Sequence, residues 1–148
     1  MTKICFVCHG NICRSPMAEF IFADLVGQAG LTDRFVIVSR ATSTEEIGND
    51  VYPPARTMLA KKGVPYTHHA ATQLCRDDYG QYDLFLGMDA YNLRNMRRIF
   101  GDDPERKLRL LTDYGNGGEI ADPWYSGDFV TAFNDIRTAC EGLLKALK

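Results

Sequence analysis

An apolar, partly β-branched run from Lys3 to Val7 breaks at Cys8 into a turn containing Gly and Asn, and Ser15-Pro16 then opens a helical pattern. Strand, short polar loop and helix in that order leave the start of the chain few ways to fold. The loop has to turn the chain between Cys8 and Arg14, with a helix starting directly behind it. Ser15 suits the N-cap and Pro16 the first helical position, where a missing N–H costs nothing. Glu19 falls one residue too late for a capping box with Ser15, so its carboxylate is free for another task.

The alternation repeats along the chain. Phe35 to Ser39 reads as a strand, followed by a Thr-, Ser- and Gly-containing loop through Asn49 and a helix from Pro53-Pro54 to Gly63. Leu84 to Met88 reads as a buried strand, Asp89 to Phe100 as a helix stopped by Gly101, and Lys107 to Leu111 as a further strand. Asp113 to Gly127 is rich in Gly, Asp and Tyr and reads as a long functional loop. Phe129, Phe133, Ile136, Cys140, Leu143 and Leu147 then mark one stripe of a final helix. The expected fold class is α/β: a single doubly wound domain over residues 1–148, with a central parallel sheet flanked by helices on both faces. Ligands in such folds sit at the carboxyl ends of strands, and the first strand ends at Cys8.

Composition narrows the classes of partner. A formal charge of -2 offers no long-range attraction for nucleic acid or an anionic membrane. No run of 18 apolar residues exists, and the apolar start is too short for a secretory core, so we expect no membrane insertion and a cytoplasmic protein. The 5 cysteines (Cys5, Cys8, Cys13, Cys75 and Cys140) are odd in number and irregular in spacing, which disfavours a disulfide framework. Cys8 and Cys13 are five apart and lack a matching His or Cys pair at zinc-ligand spacing, which argues against a structural metal site, and no cofactor is expected.

The segment Cys8-His9-Gly10-Asn11-Ile12-Cys13-Arg14-Ser15 has the makings of an anion site. A short loop running into a helix N-terminus turns successive N–H groups inward, and the helix adds about half a positive charge. The same field favours the thiolate of Cys8 over its thiol at neutral pH. Arg14 can place two parallel hydrogen bonds on equatorial phosphate oxygens, which a lysine cannot. Asn11 suits a left-handed backbone position. A general acid has to come from elsewhere, since the loop holds no carboxylate, and Asp122 lies in the long loop suited to hang over a site.

Val7-Cys8-His9-Gly10-Asn11-Ile12-Cys13-Arg14-Ser15-Pro16 resembles the signature of the low-molecular-weight protein tyrosine phosphatases. Ala41-Thr42-Ser43, Ile47-Gly48-Asn49, Met88-Asp89 with Asn92-Leu93-Arg94, and Asp122-Pro123-Trp124-Tyr125 resemble segments of that family in the same order. The resemblance implies hydrolysis of protein phosphotyrosine through a phosphocysteine: Cys8 attacks phosphorus, Arg14 holds the phosphoryl group, and Asp122 protonates the leaving phenolate and later activates water. It implies a phosphate-binding loop of His9, Gly10, Asn11, Ile12, Cys13 and Ser15, with the Ser15 hydroxyl bonded to the Cys8 sulfur. It also implies a loop-stiffening network of Asn11 with Glu19, Ser39 and His68, and a reversible Cys8–Cys13 disulfide that makes the enzyme redox-sensitive. The partners implied are tyrosine-phosphorylated proteins or peptides, with inorganic phosphate as product.

Each of these residues also has a plainer reading. Cys13 can be a packed helix-start residue, Asp122 a turn former before Pro123, and His68 a surface histidine. Trp124 and Tyr125 can be core aromatics, although beside a candidate acid they suit the walls of a slot for a phenyl ring. Glu45 stands on the pocket-lining loop where many relatives carry an aromatic residue, which leaves substrate preference open. Arg94, Arg97 and Arg98 read as a solvated cationic helix end, and Cys5, Cys75 and Cys140 as structural. Competing functions on the same fold are a thiol-linked arsenate reductase, which needs two further cysteines close together, and a phosphoarginine phosphatase, in which the family places Thr at the position of Ile12. A noncatalytic phosphoprotein-binding module is a third, disfavoured by the presence of Cys8, Arg14 and Asp122 together.

Overall fold

A computed structural model of the chain describes residues 1–148. Its principal elements are β1 (Thr2–Cys8), α1 (Arg14–Gln28), β2 (Phe35–Ala41), α2 (Pro53–Lys61), β3 (Leu84–Gly87), α3 (Ala90–Phe100), β4 (Leu108–Leu110), α4 (Pro123–Ser126) and α5 (Phe129–Leu147). The four strands form one sheet in the order β2-β1-β3-β4, and every neighbouring pair is parallel. The expected doubly wound α/β arrangement is therefore the one observed.

The two-residue period of β1 explains how the sheet is covered on both faces. Ile4, Phe6 and Cys8 join a large core with α1, α2 and α5, whereas Cys5 and Val7 join a smaller core with Leu74, Phe85, Met96 and Phe100. Both faces of β1 are buried from Ile4 onward, as a near-continuous apolar strand in a parallel sheet requires. Chain order reverses at β1: β2 lies on one side of it, and the chain then crosses to place β3 on the other. That switch point opens a crevice at the carboxyl ends of β1 and β3, where Cys8 and Asp89 stand.

Helix starts differ from the sequence expectation in two places. α1 begins at Arg14 with Cys13 in the cap position, so Ser15 and Pro16 lie inside its first turn and not at the cap and first position. The reason is that the Ser15 hydroxyl is engaged by Cys8 and Asn11 instead of the helix amides. Pro16 is tolerated because the first intrahelical bond runs from Met17 N to Cys13 O, beyond the proline. The second difference is α4, a single turn inside what reads as a long loop. Pro123 opens it and Asp122 caps it, accepting from Trp124 N at 3.1 Å. No helix is long and apolar enough to cross a membrane.

Candidate active site

The loop between β1 and α1 wraps around the sulfur of Cys8. Ser15 Oγ lies 2.9 Å from Sγ, and the backbone N–H groups of Asn11 and Ser15 donate to it at 3.3 and 3.4 Å. Asn11 Nδ2 donates to Ser15 Oγ at 2.8 Å, which occupies an acceptor position of that hydroxyl and leaves its hydrogen to point at sulfur. Three hydrogen-bond donors thus converge on one sulfur. Asn11 takes φ 59°, the left-handed conformation expected from its sequence position.

The backbone of the loop is held from outside. Thr42 N and Ser43 N donate to the carbonyls of Cys8 and His9, each at 3.0 Å, and Tyr52 N donates to Ile12 O at 2.9 Å. Thr72 N donates to Asn11 Oδ1 at 3.1 Å. His69 Nε2 donates to Asn11 O at 2.7 Å. The histidine that supports the loop is thus His69 and not His68, whose side chain is 80% exposed and meets Asp50 at 3.3 Å. Asp50 accepts from His69 N at 3.0 Å and fixes the pair, so that only the second ring turns inward. Backbone hydrogen bonds from Val51 and His69, with the nearby charges of His68 and Arg56, hold the Asp50 carboxyl below the usual range. Ser39 Oγ donates to Glu19 Oε1 at 2.5 Å, joining β2 to α1, but no hydrogen bond links this pair to Asn11. The expected single network is two separate ones.

Arg14 is 2% exposed and reaches two other segments of the chain. Its Nη1 donates to Asp89 Oδ2 at 2.7 Å and to Ile120 O at 2.9 Å, and its Nη2 meets Asp122 Oδ2 at 3.4 Å. Burial works against the guanidinium charge, yet Cys8, Asp89 and Asp122 outweigh it and hold the pKa above its ordinary value. Asp89 did not figure among the sequence candidates for the site. Its signal was present: an aspartate after the third strand and before a helix, where it caps α3 by accepting from Asn92 N at 2.9 Å.

Cys8, His9, Gly10, Ile12, Cys13, Arg14, Glu45, Glu46, Asp122, Trp124 and Tyr125 line one cavity. Most residues singled out for the loop, the acid and the pocket therefore meet in one place; Asn11 and Ser15 are buried behind the lining, where they bond the Cys8 sulfur, and Glu19, Ser39 and His68 do not line the cavity. Trp124 leans on Tyr52, ring centroids 4.6 Å apart, and Tyr52 stacks on Phe129, which fixes one wall. Tyr125 is 82% exposed and Glu45 pairs with His9 Nε2 at 2.9 Å. Cys13 is a neutral thiol, its pKa pushed up to about 12 by burial first and then by Cys8 and Asp122. Burial likewise pushes the Cys5 and Cys140 thiols up, as expected for structural cysteines.

The family model described as low molecular weight phosphotyrosine protein phosphatase matches residues 3–148. The chain belongs to this family. Among its relatives, the "Low molecular weight protein-tyrosine-phosphatase YfkJ" of Bacillus subtilis is 34% identical, over 100% of this chain and 97% of that one. The Schizosaccharomyces pombe low molecular weight phosphotyrosine protein phosphatase is 40% identical over 86% of this chain and 85% of its own. The crystal structure of YfkJ superimposes with a TM-score of 0.95 at 33% identity, covering 99% of this chain and 94% of that chain. A protein described as Drosophila arginine phosphatase shares the fold with a TM-score of 0.87 at 25% identity, covering 100% and 98%. The low molecular weight phosphatase frame thus carries more than one named activity, and the choice among them falls to the pocket.

Proposed function

We propose that this chain hydrolyses protein phosphotyrosine through a phosphocysteine intermediate, with Cys8 as nucleophile, Arg14 as phosphoryl clamp and Asp122 as general acid and base. The observation that carries the reading is the Cys8 sulfur, bonded by Ser15 and two loop amides, in the same cavity as the Arg14 guanidinium and the Asp122 carboxyl. The phosphoryl dianion enters the loop and takes hydrogen bonds from its amides and from Arg14. Sulfur forms a bond to phosphorus as the bond to the phenolic oxygen breaks, and Asp122 gives its proton to that oxygen. The Asp122 carboxylate then takes a proton from water, whose oxygen attacks phosphorus and expels the Cys8 thiolate. Inorganic phosphate leaves. Positive charge for the transition state comes from Arg14 and the helix end.

Two features favour an aryl ester over the rival chemistries. Ile12 gives the cavity an apolar branched wall and Trp124 an aromatic one, which suit a phenyl ring better than a guanidino group. Between Cys13 and Cys140 the chain offers Cys75 alone, so the paired cysteines of a thiol-linked reductase are lacking. Peroxide is expected to act on the same sulfur: Cys8 gains oxygen as a sulfenic acid, which condenses with the Cys13 thiol to a disulfide and water. The free, irregularly spaced cysteines support a reducing, cytoplasmic setting.

The test is release of phosphate from a phosphotyrosyl peptide by the wild-type chain and by Cys8→Ser. The variant should lose turnover entirely and still bind inorganic phosphate in calorimetry, since serine has no nearby base to ionise it while the loop amides and Arg14 remain. Turnover within tenfold of wild type would remove Cys8 from the role of nucleophile.

A further inference from the structure

The mouth of the reaction cavity carries three carboxylates, and they are not equally engaged. Asp122 is held by Arg14 and by the amide of Trp124. Glu46 accepts from Asn49 Nδ2 at 2.6 Å. Glu45 is different: its side chain is 68% exposed, and the one side chain able to carry positive charge within 4.0 Å of it is His9, at 2.9 Å. Histidine provides that charge only when protonated, and the pair sits in water where either partner exchanges readily. Arg14 pairs with Asp89 and Asp122, and no lysine or arginine lies within 4.0 Å of Glu45 to balance it.

We propose that Glu45 selects, among phosphotyrosine substrates, those with a lysine or arginine close to the phosphotyrosine, the substrate cation taking the place of His9. This rests on the phosphotyrosine reading of the same cavity and adds the chemistry that surrounds the phosphorylated ring. His9 belongs to the phosphate loop and lines the cavity beside Glu45, so an ammonium or guanidinium that reaches the carboxylate lies next to the mouth the phosphorylated ring must enter. Acidic neighbours of phosphotyrosine meet Glu45 as a like charge and bind less well.

The experiment compares kcat/KM for two phosphotyrosyl peptides that differ only in flanking Lys against flanking Glu, each normalised to phenyl phosphate turnover by the same variant. Wild type should favour the lysine peptide by about two- to fivefold at low salt, the range of one exposed ion pair, and less as salt is raised. Glu45→Gln should bring the ratio towards one, Glu45→Lys should invert it, and His9→Gln should widen it by removing the internal competitor. A wild-type ratio of one, or a preference that survives Glu45→Gln, overturns the assignment of Glu45. Absence of phenyl phosphate turnover by wild type overturns the phosphatase reading itself, and turnover of phenyl phosphate with neither peptide cleaved overturns the peptide substrate class.

Discussion

At the scale of single residues, Asp122 joins a plain role, the cap of α4, to a place beside Arg14 that fits its proposed chemical one. Oδ1 caps α4 and Oδ2 faces Arg14, so the turn-forming and the site-forming readings both describe the structure. The cap sets the carboxyl's orientation before substrate arrives, which is what a positioned acid needs. Asp122→Asn should lower phosphotyrosine turnover by roughly 100- to 10,000-fold. The penalty should shrink for aryl phosphates with acidic leaving groups, because a stable phenolate departs without a proton. Single-turnover kinetics across leaving groups of different pKa check this, and an equal loss for all of them would make Asp122 structural. The loop around Cys8 was legible in the sequence because it is one short segment whose residue types state an anion site, whereas Asp122 stood out by its place in a long loop and by the family resemblance. His69 was not. Two adjacent histidines are equivalent as letters, and only the bond from His69 N to Asp50 decides which ring turns towards Asn11.

At the scale of elements, the strands and long helices were readable because apolar period and glycine or proline boundaries agree, as at Pro53 and Gly101. The packing of α5 was less so. Its apolar stripe was plain, but Gly142 falls on the same helix and costs about 1 kcal/mol of propensity relative to alanine. The structure gives the reason: a Cβ at Gly142 would overlap the carbonyl oxygen of Tyr114, where the turn after β4 crosses the helix. Gly115 in that turn likewise approaches Ala139, at 3.0 Å from an added Cβ to the Ala139 Cα. Backbone meets backbone here, and no flexible side chain can yield. Gly142→Ala should therefore lose about 1–3 kcal/mol through overpacking, despite the gain in propensity. Urea denaturation measures the difference; a variant as stable as wild type or more so would mean that the turn can move aside, and that this contact does not fix its place.

At the scale of the whole molecule, the site is where the chain's distant parts are tied together. Sequence could say that Cys8 and Asp122 belong to one mechanism only through the family resemblance, because no local pattern reports which loops meet across a sheet. The structure supplies the link in Arg14, which leaves the loop after β1 and binds Asp89 after β3, the Ile120 carbonyl and Asp122 before α4. The residue proposed as phosphoryl clamp is thus also the cation that pairs with two carboxylates, and it lines the same cavity as the Cys8 sulfur. Removing it leaves Asp89 and Asp122, 18% and 24% exposed, without their partner. Loss of one member of a buried pair costs about 3–5 kcal/mol, and partial exposure of the carboxylates places this case at the lower end. Arg14→Met, which keeps much of the length and apolar stem, should accordingly lower stability to urea as well as abolish turnover. Arg14→Lys should lose most activity, since the planar fork is gone, yet recover part of the stability because the charge remains. Denaturation midpoints of the three proteins, measured without phosphate, separate the two roles. If Arg14→Met unfolds at the wild-type midpoint, the ion pairs contribute nothing net to the fold and Arg14 serves the phosphoryl group alone.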